Sequence, residues 1–161
     1  MIKLISSIII LFFITLPVNS EVIKEIRVIN NDRISKETIQ IFSNIKVGEN
    51  YDQNDLNRIL KEIYDTNFFS NVSLEINDGV LIIDVEENPI IQNITVEGIE
   101  RKELIEDLKS RISSKDKNPF VENNIKNDVL LIKKLLKSSG YYFSEVKTKI
   151  IENNNNTIDI I

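Results

Sequence analysis

Residues 51–85 read YDQNDLNRILKEIYDTNFFSNVSLEINDGVLIIDV, and this stretch decides the fold. Its first half places apolar side chains at the spacing of one helix face, and these are Leu56, Ile59, Leu60, Ile63 and Tyr64. Asp52 is the predicted N-cap, with Tyr51 and Leu56 as the apolar pair around it. Asp55 lies beside the positive end of the helix dipole. The sequence therefore predicts an amphipathic helix that begins just after Asp52.

The second half of the stretch predicts a β-hairpin. Residues 72–76 alternate between apolar and polar side chains, which is typical of a strand with one buried face. Asn77-Asp78-Gly79 supplies a tight turn. Residues 80–85 are apolar almost without interruption, as expected of a central strand. Asn67, between the helix and the hairpin, is the predicted left-handed helix cap.

Upstream of this stretch, a strand over Val22–Ile29 and a short helix complete the unit. Ser35 is the predicted N-cap of the helix, and Ile34 and Ile39 form a hydrophobic staple around it. The helix runs to about Asn44 and turns Ile39 inward. The order β-α-α-β-β predicts an α+β fold, a three-stranded mixed sheet covered on one face by two helices. The last strand lies in the middle, parallel to the first.

The same pattern occurs a second time. Residues 54–69 match residues 127–142 in the spacing of their apolar positions and in the aromatic pair that ends each segment. We therefore predict two tandem domains, the first repeat (residues 21–88) and the second repeat (residues 89–161). Pro89 restricts the chain at the join between them.

In the second repeat the signals are weaker. The predicted elements are a strand over Ile90–Glu97, a helix with Leu104, Ile105, Leu108 and Ile112 on its apolar face, a helix from about Val121 to Ser139, and a hairpin of Phe143–Ile151 and Thr157–Ile161. The first of these helices has no good N-cap residue. We expect the chain to stop inside the last strand, so that the second repeat is truncated there.

Residues 1–20 have the features of a secretory signal peptide. Lys3 precedes an apolar run from Leu4 to Leu16, which is shorter than a bilayer-spanning helix. Pro17 ends the run, and the predicted cleavage lies between Ser20 and Glu21. An uncleaved membrane anchor and a buried core helix are the alternatives.

Composition excludes several kinds of site. The sequence has no histidine and no cysteine, so it lacks Ser-His-Asp and Cys-His catalytic systems and zinc sites of the usual kind. The net charge of −5 disfavours binding to nucleic acid or an electrostatic hold on anionic lipid. We expect a protein that is not an enzyme and that uses no cofactor and no metal ion.

Two segments of the sequence resemble POTRA domains. One is Gly48-x-x-Tyr51, continued by Leu60-x-x-x-Tyr64-x-x-x-Phe68-Phe69-x-x-Val72. The other is the join Val85-Glu86-Glu87-Asn88-Pro89, continued by Ile94-x-Val96-x-Gly98. The resemblance is to the first two POTRA repeats of the outer-membrane protein assembly factor BamA family, and it covers nearly all of residues 21–161. Asn67 departs from the family, which usually has glycine there. The family continues into further repeats and a C-terminal β-barrel, which residues 21–161 do not include.

The resemblance implies a scaffold at the periplasmic face of the outer membrane, held there through the family's C-terminal barrel. Its partners would be unfolded outer-membrane proteins, periplasmic chaperones and the lipoproteins of the assembly machinery. The sheet predicted from the sequence has unpaired backbone groups at its edge, to which an extended client could add as a strand.

The candidate client-binding edge is the fourth element of the first repeat, Val72, Ser73, Leu74, Glu75 and Ile76, with Val146–Ile150 as its counterpart in the second repeat. Ser73 and Glu75 would face solvent or client. Proline at Ser73 or Glu75 would block strand addition if the N–H of that residue faces outward.

Other interpretations stay open. The chain could be the POTRA region of a two-partner secretion pore, or a bitopic division-site protein with a POTRA domain, or a hydrolase that uses only Asp and Glu. The aromatic pairs Phe68/Phe69 and Tyr141/Tyr142 are interpreted as core and hinge packing, with peptide contact as the alternative. Asp84, Glu86 and Glu87 are interpreted as solvent-side strand residues.

Overall fold

The computed structural model describes residues 20–161. The predicted signal peptide lies outside these residues except for Ser20, so its cleavage before Glu21 stays a prediction. The first repeat consists of β1 (Glu21–Val22), β2 (Glu25–Ile29), α1 (Lys36–Ser43), β3 (Asn50–Tyr51), α2 (Gln53–Asp65), β4 (Phe69–Asn77) and β5 (Val80–Glu87). The second repeat consists of β6 (Ile90–Ile94), α3 (Lys102–Arg111), α4 (Glu122–Ser138), β7 (Ile150–Asn153) and β8 (Thr157–Ile160).

Both repeats have the predicted α+β topology. The sheet of the first repeat has the order β2-β5-β4, and that of the second repeat has the order β6-β8-β7. In each sheet the last strand is central, parallel to the first strand and antiparallel to its hairpin partner. A small two-stranded sheet of β1 and β3 was not predicted, and it pairs Val22 with Asn50.

The helices of the first repeat begin and end as the sequence predicts. The Ser35 side chain accepts a hydrogen bond from the backbone N–H of Thr38 at 3.2 Å. Asp52 and Asp55 form a reciprocal capping box, since each carboxylate accepts from the backbone N–H of the other residue. Asn67 has the left-handed backbone predicted for it, with φ at 61°.

One continuous apolar core joins the helices and the sheet of the first repeat. Ile39 of α1 and Ile59 and Ile63 of α2 are fully buried against Leu81 and Ile83 of β5.

The predicted core role of the Phe68/Phe69 pair is confirmed. Phe69 is buried, and the ring of Phe68 stacks on that of Phe42 with their centroids 5.8 Å apart.

The second repeat departs from prediction in its hairpin. The strand predicted over Phe143–Ile151 is wrong, because β7 begins only at Ile150. Ile150 lies opposite Ile160 as Val72 lies opposite Val85, so Ile150, and not Val146, is the structural counterpart of Val72. The sequence match places the strand four residues too early, because the extra residues of the second repeat follow α4 as an irregular segment.

The aromatic pair of the second repeat is also misassigned. Tyr142 is 68% exposed and the side chain of Phe143 is fully exposed, so the predicted core packing of Tyr141/Tyr142 is wrong. The pair follows Gly140, where the chain turns away from the helices with a positive φ. Within residues 20–161, no helix combines the length and the apolar character needed to cross a membrane.

Candidate strand-binding edge

β4 forms one outer edge of the first sheet. It spans nine residues and pairs with β5 on one side only. Val72 is buried and Leu74 and Ile76 are half-buried against the helices, whereas Ser73 and Glu75 are exposed on the opposite face. The structure thus places the five predicted residues on one edge strand with the predicted alternation. Their role in binding a client stays a prediction.

The hairpin turn determines which backbone groups of β4 face outward. Asp78 and Gly79 both have positive φ and form a two-residue turn, which closes Asn77 and Val80 as a hydrogen-bonded pair. Because such pairs alternate along an antiparallel ladder, Ser73 and Glu75 also bond to β5.

The backbone N–H and C=O groups that point out of the sheet therefore belong to Val72, Leu74 and Ile76. The N–H groups of Ser73 and Glu75 point toward β5 and not outward. Proline at Ser73 or Glu75 would therefore break bonds to β5 and is not a test of strand addition.

Tyr64 of α2 already occupies one of the outward donors. The backbone N–H of Val72 donates to the Tyr64 hydroxyl at 3.3 Å. The same hydroxyl donates to Oδ1 of Asn71 at 3.3 Å. Within residues 20–161, no such partner meets the outward groups of Leu74 and Ile76. Two residues of the edge are thus open.

The other sheet edges are shorter than β4 or are already covered by neighbouring residues. β2 is five residues long, and the chain just before it is held by the β1–β3 sheet, where Ile23 N–H donates to the carbonyl of Glu49 at 3.0 Å. β6 is covered by residues 116–120, since the N–H of Ile91 donates to the Asn118 carbonyl and that of Ile94 to the Asp116 carboxylate. β7 is only four residues long. β4 is therefore the longest edge among residues 20–161.

Glu87, at the end of β5, is buried and not on the solvent side of the strand as predicted. It is 7% exposed, and its Oε1 accepts hydrogen bonds at 2.9 Å from the backbone N–H groups of Asp32, Arg33 and Ile34. Its Oε2 accepts from Nε of Arg33 at 3.0 Å. The prediction of a solvent-side residue is wrong for Glu87, although Glu86 is exposed.

A signal for this position was present in the sequence. Leu81, Ile83 and Val85 face the core, and the period of two puts Glu87 on the same face. Burial alone would raise the pKa of Glu87, but the hydrogen bonds from Ile34, Arg33 and Asp32 outweigh it and lower the pKa.

Glu87 and Arg33 also connect the two repeats. The Arg33 guanidinium donates to the carbonyl of Asn88 at 2.6 Å and to that of Asn156, in the second hairpin turn, at 3.2 Å. The side-chain amide of Asn156 donates back to the Glu87 carbonyl at 3.0 Å. This small network stabilises the end of the β4–β5 hairpin that lies opposite its turn.

The second repeat contains a cavity of about 630 Å³ next to its helices. Apolar side chains of α4, including Ile125, Val129 and Ile132, line it together with Val146 from the irregular segment. Where the first repeat has a continuous core, the second has two small clusters of buried residues, and side chains of both clusters line this space.

Together these features define a class of protein: small α+β modules arranged in tandem, each a mixed three-stranded sheet under two helices. A family model described as "POTRA: Surface antigen variable number repeat" matches residues 21–88 and 89–161. The chain therefore belongs to the POTRA family.

The curated relatives share the name outer membrane protein assembly factor BamA. The outer membrane protein assembly factor BamA of Neorickettsia risticii (strain Illinois) is 26% identical over 136 residues, which is 84% of this chain and 18% of that protein. BamA of Neisseria meningitidis serogroup B is 34% identical over 76 residues, 47% of this chain and 10% of that protein. The chain thus spans less than a fifth of the length of these relatives.

Among solved structures, the N-terminal domain of Omp85 from Thermosynechococcus elongatus superposes with a TM-score of 0.58 at 12% identity. The match covers 88% of this chain and 62% of that one. At this level of identity the likeness concerns the fold.

Proposed function

We propose that this chain acts at the periplasmic face of the outer membrane as a receptor for unfolded outer-membrane proteins, within the machinery that assembles them. Membership of the POTRA family and the name shared by the curated relatives, outer membrane protein assembly factor, support this. Periplasmic chaperones and assembly lipoproteins are the further partners. In this role the chain is a scaffold rather than an enzyme.

The single observation that carries the proposal is the open edge of β4. The outward backbone groups of Leu74 and Ile76 lie on alternate residues of β4, in the part whose register with β5 is unbroken. A client segment in extended conformation would add there as a fourth strand, through main-chain hydrogen bonds. Since main-chain bonds are the same for every sequence, one edge would serve many different β-rich clients.

The expected strength of this contact suits a receptor that hands its client on. Leu74 and Ile76 offer two donors and two acceptors, and each net hydrogen bond contributes about 1 kcal/mol. Through these bonds alone, a gain of about 4 kcal/mol sets about 1 mM as the tightest dissociation constant, because the translational and rotational freedom lost on association weakens binding further. Binding through this edge alone is therefore weak and rapidly reversible.

Glu75 disfavours pairing of β4 with the β4 strand of another copy of this chain. It is exposed on the outer face of β4, and a charged side chain on an edge strand disfavours pairing between copies of the same chain. Two β4 strands that pair with each other would place like charges close together, whereas a client strand with polar or basic residues meets no such repulsion.

Cysteine trapping tests the proposal cleanly, because the chain has no cysteine of its own. Ser73→Cys and Glu75→Cys would each be mixed with a urea-unfolded outer-membrane β-barrel protein that carries one cysteine in a membrane strand. Arg27→Cys, exposed on β2, is the matched control at the other edge. We expect several-fold more mixed disulfide at Ser73 and Glu75 than at Arg27, and equal yields would contradict the proposal.

A proline variant then separates main-chain pairing from mere proximity. Leu74→Pro removes an outward N–H without removing a bond to β5, while Leu74→Ala matches its loss of side-chain packing. We expect trapping at Glu75→Cys to fall several-fold with Leu74→Pro and to persist with Leu74→Ala. A proline at Ser73 would instead break a β4–β5 bond and is unsuitable.

A further inference from the structure

We infer that Tyr64 sets the register of strand addition, by closing the part of the edge around Val72 and leaving only the part from Leu74 to the hairpin turn open. The inference rests on the proposed function, since it concerns how a client is placed on β4. Its basis is the hydroxyl of Tyr64, which accepts from the Val72 N–H and donates to Asn71.

The position of Tyr64 is fixed by the way α2 ends. The Thr66 hydroxyl donates to the Ile63 carbonyl at 2.6 Å and accepts from the N–H of Phe68 at 3.3 Å. Asn67 supplies the left-handed residue, and its carbonyl accepts from the side-chain amide of Asn88 at 2.9 Å. The last turn of α2 and the start of β4 are thus held as one rigid corner, with the phenol over the edge.

The consequence follows from the spacing of the outward groups. An added strand bonds to alternate residues of the edge, which here are Val72, Leu74 and Ile76. With the Val72 donor occupied, a strand that extends past Leu74 must break the bond to Tyr64. Just beyond, the ladder shifts register between Phe69 and Asn71, and such a bulge bends the strand away from straight pairing. Client pairing therefore ends at Leu74.

The second repeat has no tyrosine at the position that corresponds to Tyr64. The helix match that aligns Ile63 with Leu136 puts Lys137 at the position of Tyr64, and Lys137 is exposed. The outward residues of β7 are Ile150 and Glu152, because Lys149 and Ile161 exchange hydrogen bonds in both directions and fix the alternation. Closure by a tyrosine thus belongs to the first repeat only.

The test uses two reporter cysteines, one on each part of β4. Glu75→Cys reports the open part, and Asn71→Cys, also exposed and inside the regular part of the ladder, reports the closed part while the Val72 N–H still donates to Tyr64. The probe is an eleven-residue synthetic peptide, acetylated and amidated, with alternating valine and threonine, a lysine at each end and one central cysteine. Because its sequence repeats, the peptide can slide, and its cysteine is trapped wherever its centre can lie beside a reporter.

With Tyr64 present we expect trapping at Glu75→Cys and little at Asn71→Cys. Tyr64→Phe frees the Val72 N–H, which should raise trapping at Asn71→Cys about 2- to 10-fold, the effect of one additional net hydrogen bond. Trapping at Glu75→Cys should stay unchanged. Tyr142→Phe, which removes an exposed hydroxyl in the second repeat, is the matched control and should change neither yield.

The outcomes separate the two proposals. Equal trapping at Asn71 and Glu75 with Tyr64 in place, or no rise at Asn71 in Tyr64→Phe, would overturn the register role of Tyr64 and leave strand addition at β4 standing. Absence of trapping at Glu75→Cys in every variant would overturn strand addition itself and the inference with it. Circular dichroism of each variant checks that α2 and the sheet remain folded.

Discussion

In the first repeat both helices begin at side-chain caps, and strands of nine and eight residues form the hairpin. In the second repeat neither helix has a side-chain cap, and both hairpin strands are four residues long. Yet the two sheets have the same strand order and the same directions. The apolar pattern common to both repeats is therefore enough for the topology, even where side-chain caps are absent and the hairpin strands are half as long.

One pair of matched residues makes the difference concrete. Asp55 and Asp128 occupy the same position in the two copies of the helix pattern. Asp55 caps its own helix through the N–H of Asp52. Asp128 is buried and instead accepts hydrogen bonds from the N–H groups of Ser113 and Ser114 and from the Ser113 hydroxyl. The same residue type thus stabilises a helix end in one repeat and a loop in the other.

The largest effect we predict is that of Glu87→Ala, which removes the acceptor for three backbone donors and the partner of Arg33. Breaking a buried pair of this kind should lower the free energy of unfolding of the first repeat by about 3–5 kcal/mol. Urea unfolding in a Phe42→Trp background measures it, since the chain has no tryptophan of its own. Glu86→Ala, at an exposed neighbour, is the control and should stay within about 0.5 kcal/mol of the parent.

The pH dependence of the same site has a defined sign. Because the pKa of Glu87 is lowered in the folded chain, its contribution is present above the ordinary value of 4.5 and is lost as pH falls through the folded value. Glu87→Gln should therefore lose less stability than the parent between pH 7 and pH 3. A parallel loss in both proteins would show that Glu87 is not the titrating group.

The next largest effect should come from Asp128→Ala. Three donors around a buried carboxylate lose their acceptor, and we expect the second repeat to lose about 2–3 kcal/mol. Asp55→Ala at the matched position removes one half of a capping box and should lower the stability of the first repeat by about 1 kcal/mol. Urea unfolding with Phe120→Trp and Phe42→Trp reports the two repeats separately. If the two losses were equal, the distinction between the two aspartates would be wrong.

The titration of Asp128 has the same sign as that of Glu87. Burial alone would raise its pKa, but the hydrogen bonds from Ser114 and Ser113 lower it below the ordinary value of 3.8. Its contribution to the second repeat is therefore retained at neutral pH and lost in strong acid.

Most of the fold could be predicted because its signals are local. The caps at Ser35 and Asp52, the left-handed Asn67 and the turn at Asp78-Gly79 each depend on residues close in sequence, and all four are confirmed. The right-handed crossover rule then gave the parallel pairing of β2 with β5.

The errors arose where a position depends on contacts between elements and not on the pattern within one element. The strand predicted over Phe143–Ile151 was wrong because pairing with β8, rather than the match to the first repeat, determines where β7 begins. Glu87 was misplaced although the alternation of β5 puts it on the core face, because the donors that satisfy its carboxylate there, residues 32–34, lie more than fifty residues away in the chain. The closure of the edge by Tyr64 was also missed. The helical pattern placed Tyr64 on the apolar face of α2, but it did not indicate that the Tyr64 hydroxyl contacts the backbone N–H of Val72.

Amide hydrogen exchange, measured residue by residue by NMR on the folded protein with and without the valine-threonine peptide, tests the central claim most directly. The outward N–H groups of Leu74 and Ile76 should exchange rapidly in the free protein, while those of Ser73 and Glu75, bonded to β5, should exchange slowly. Addition of peptide should slow exchange at Leu74 and Ile76 and leave the slow exchange of Ser73 and Glu75 unchanged. Unaltered exchange at Leu74 and Ile76 in the protein with the peptide disulfide-linked at Glu75→Cys would contradict strand addition at β4.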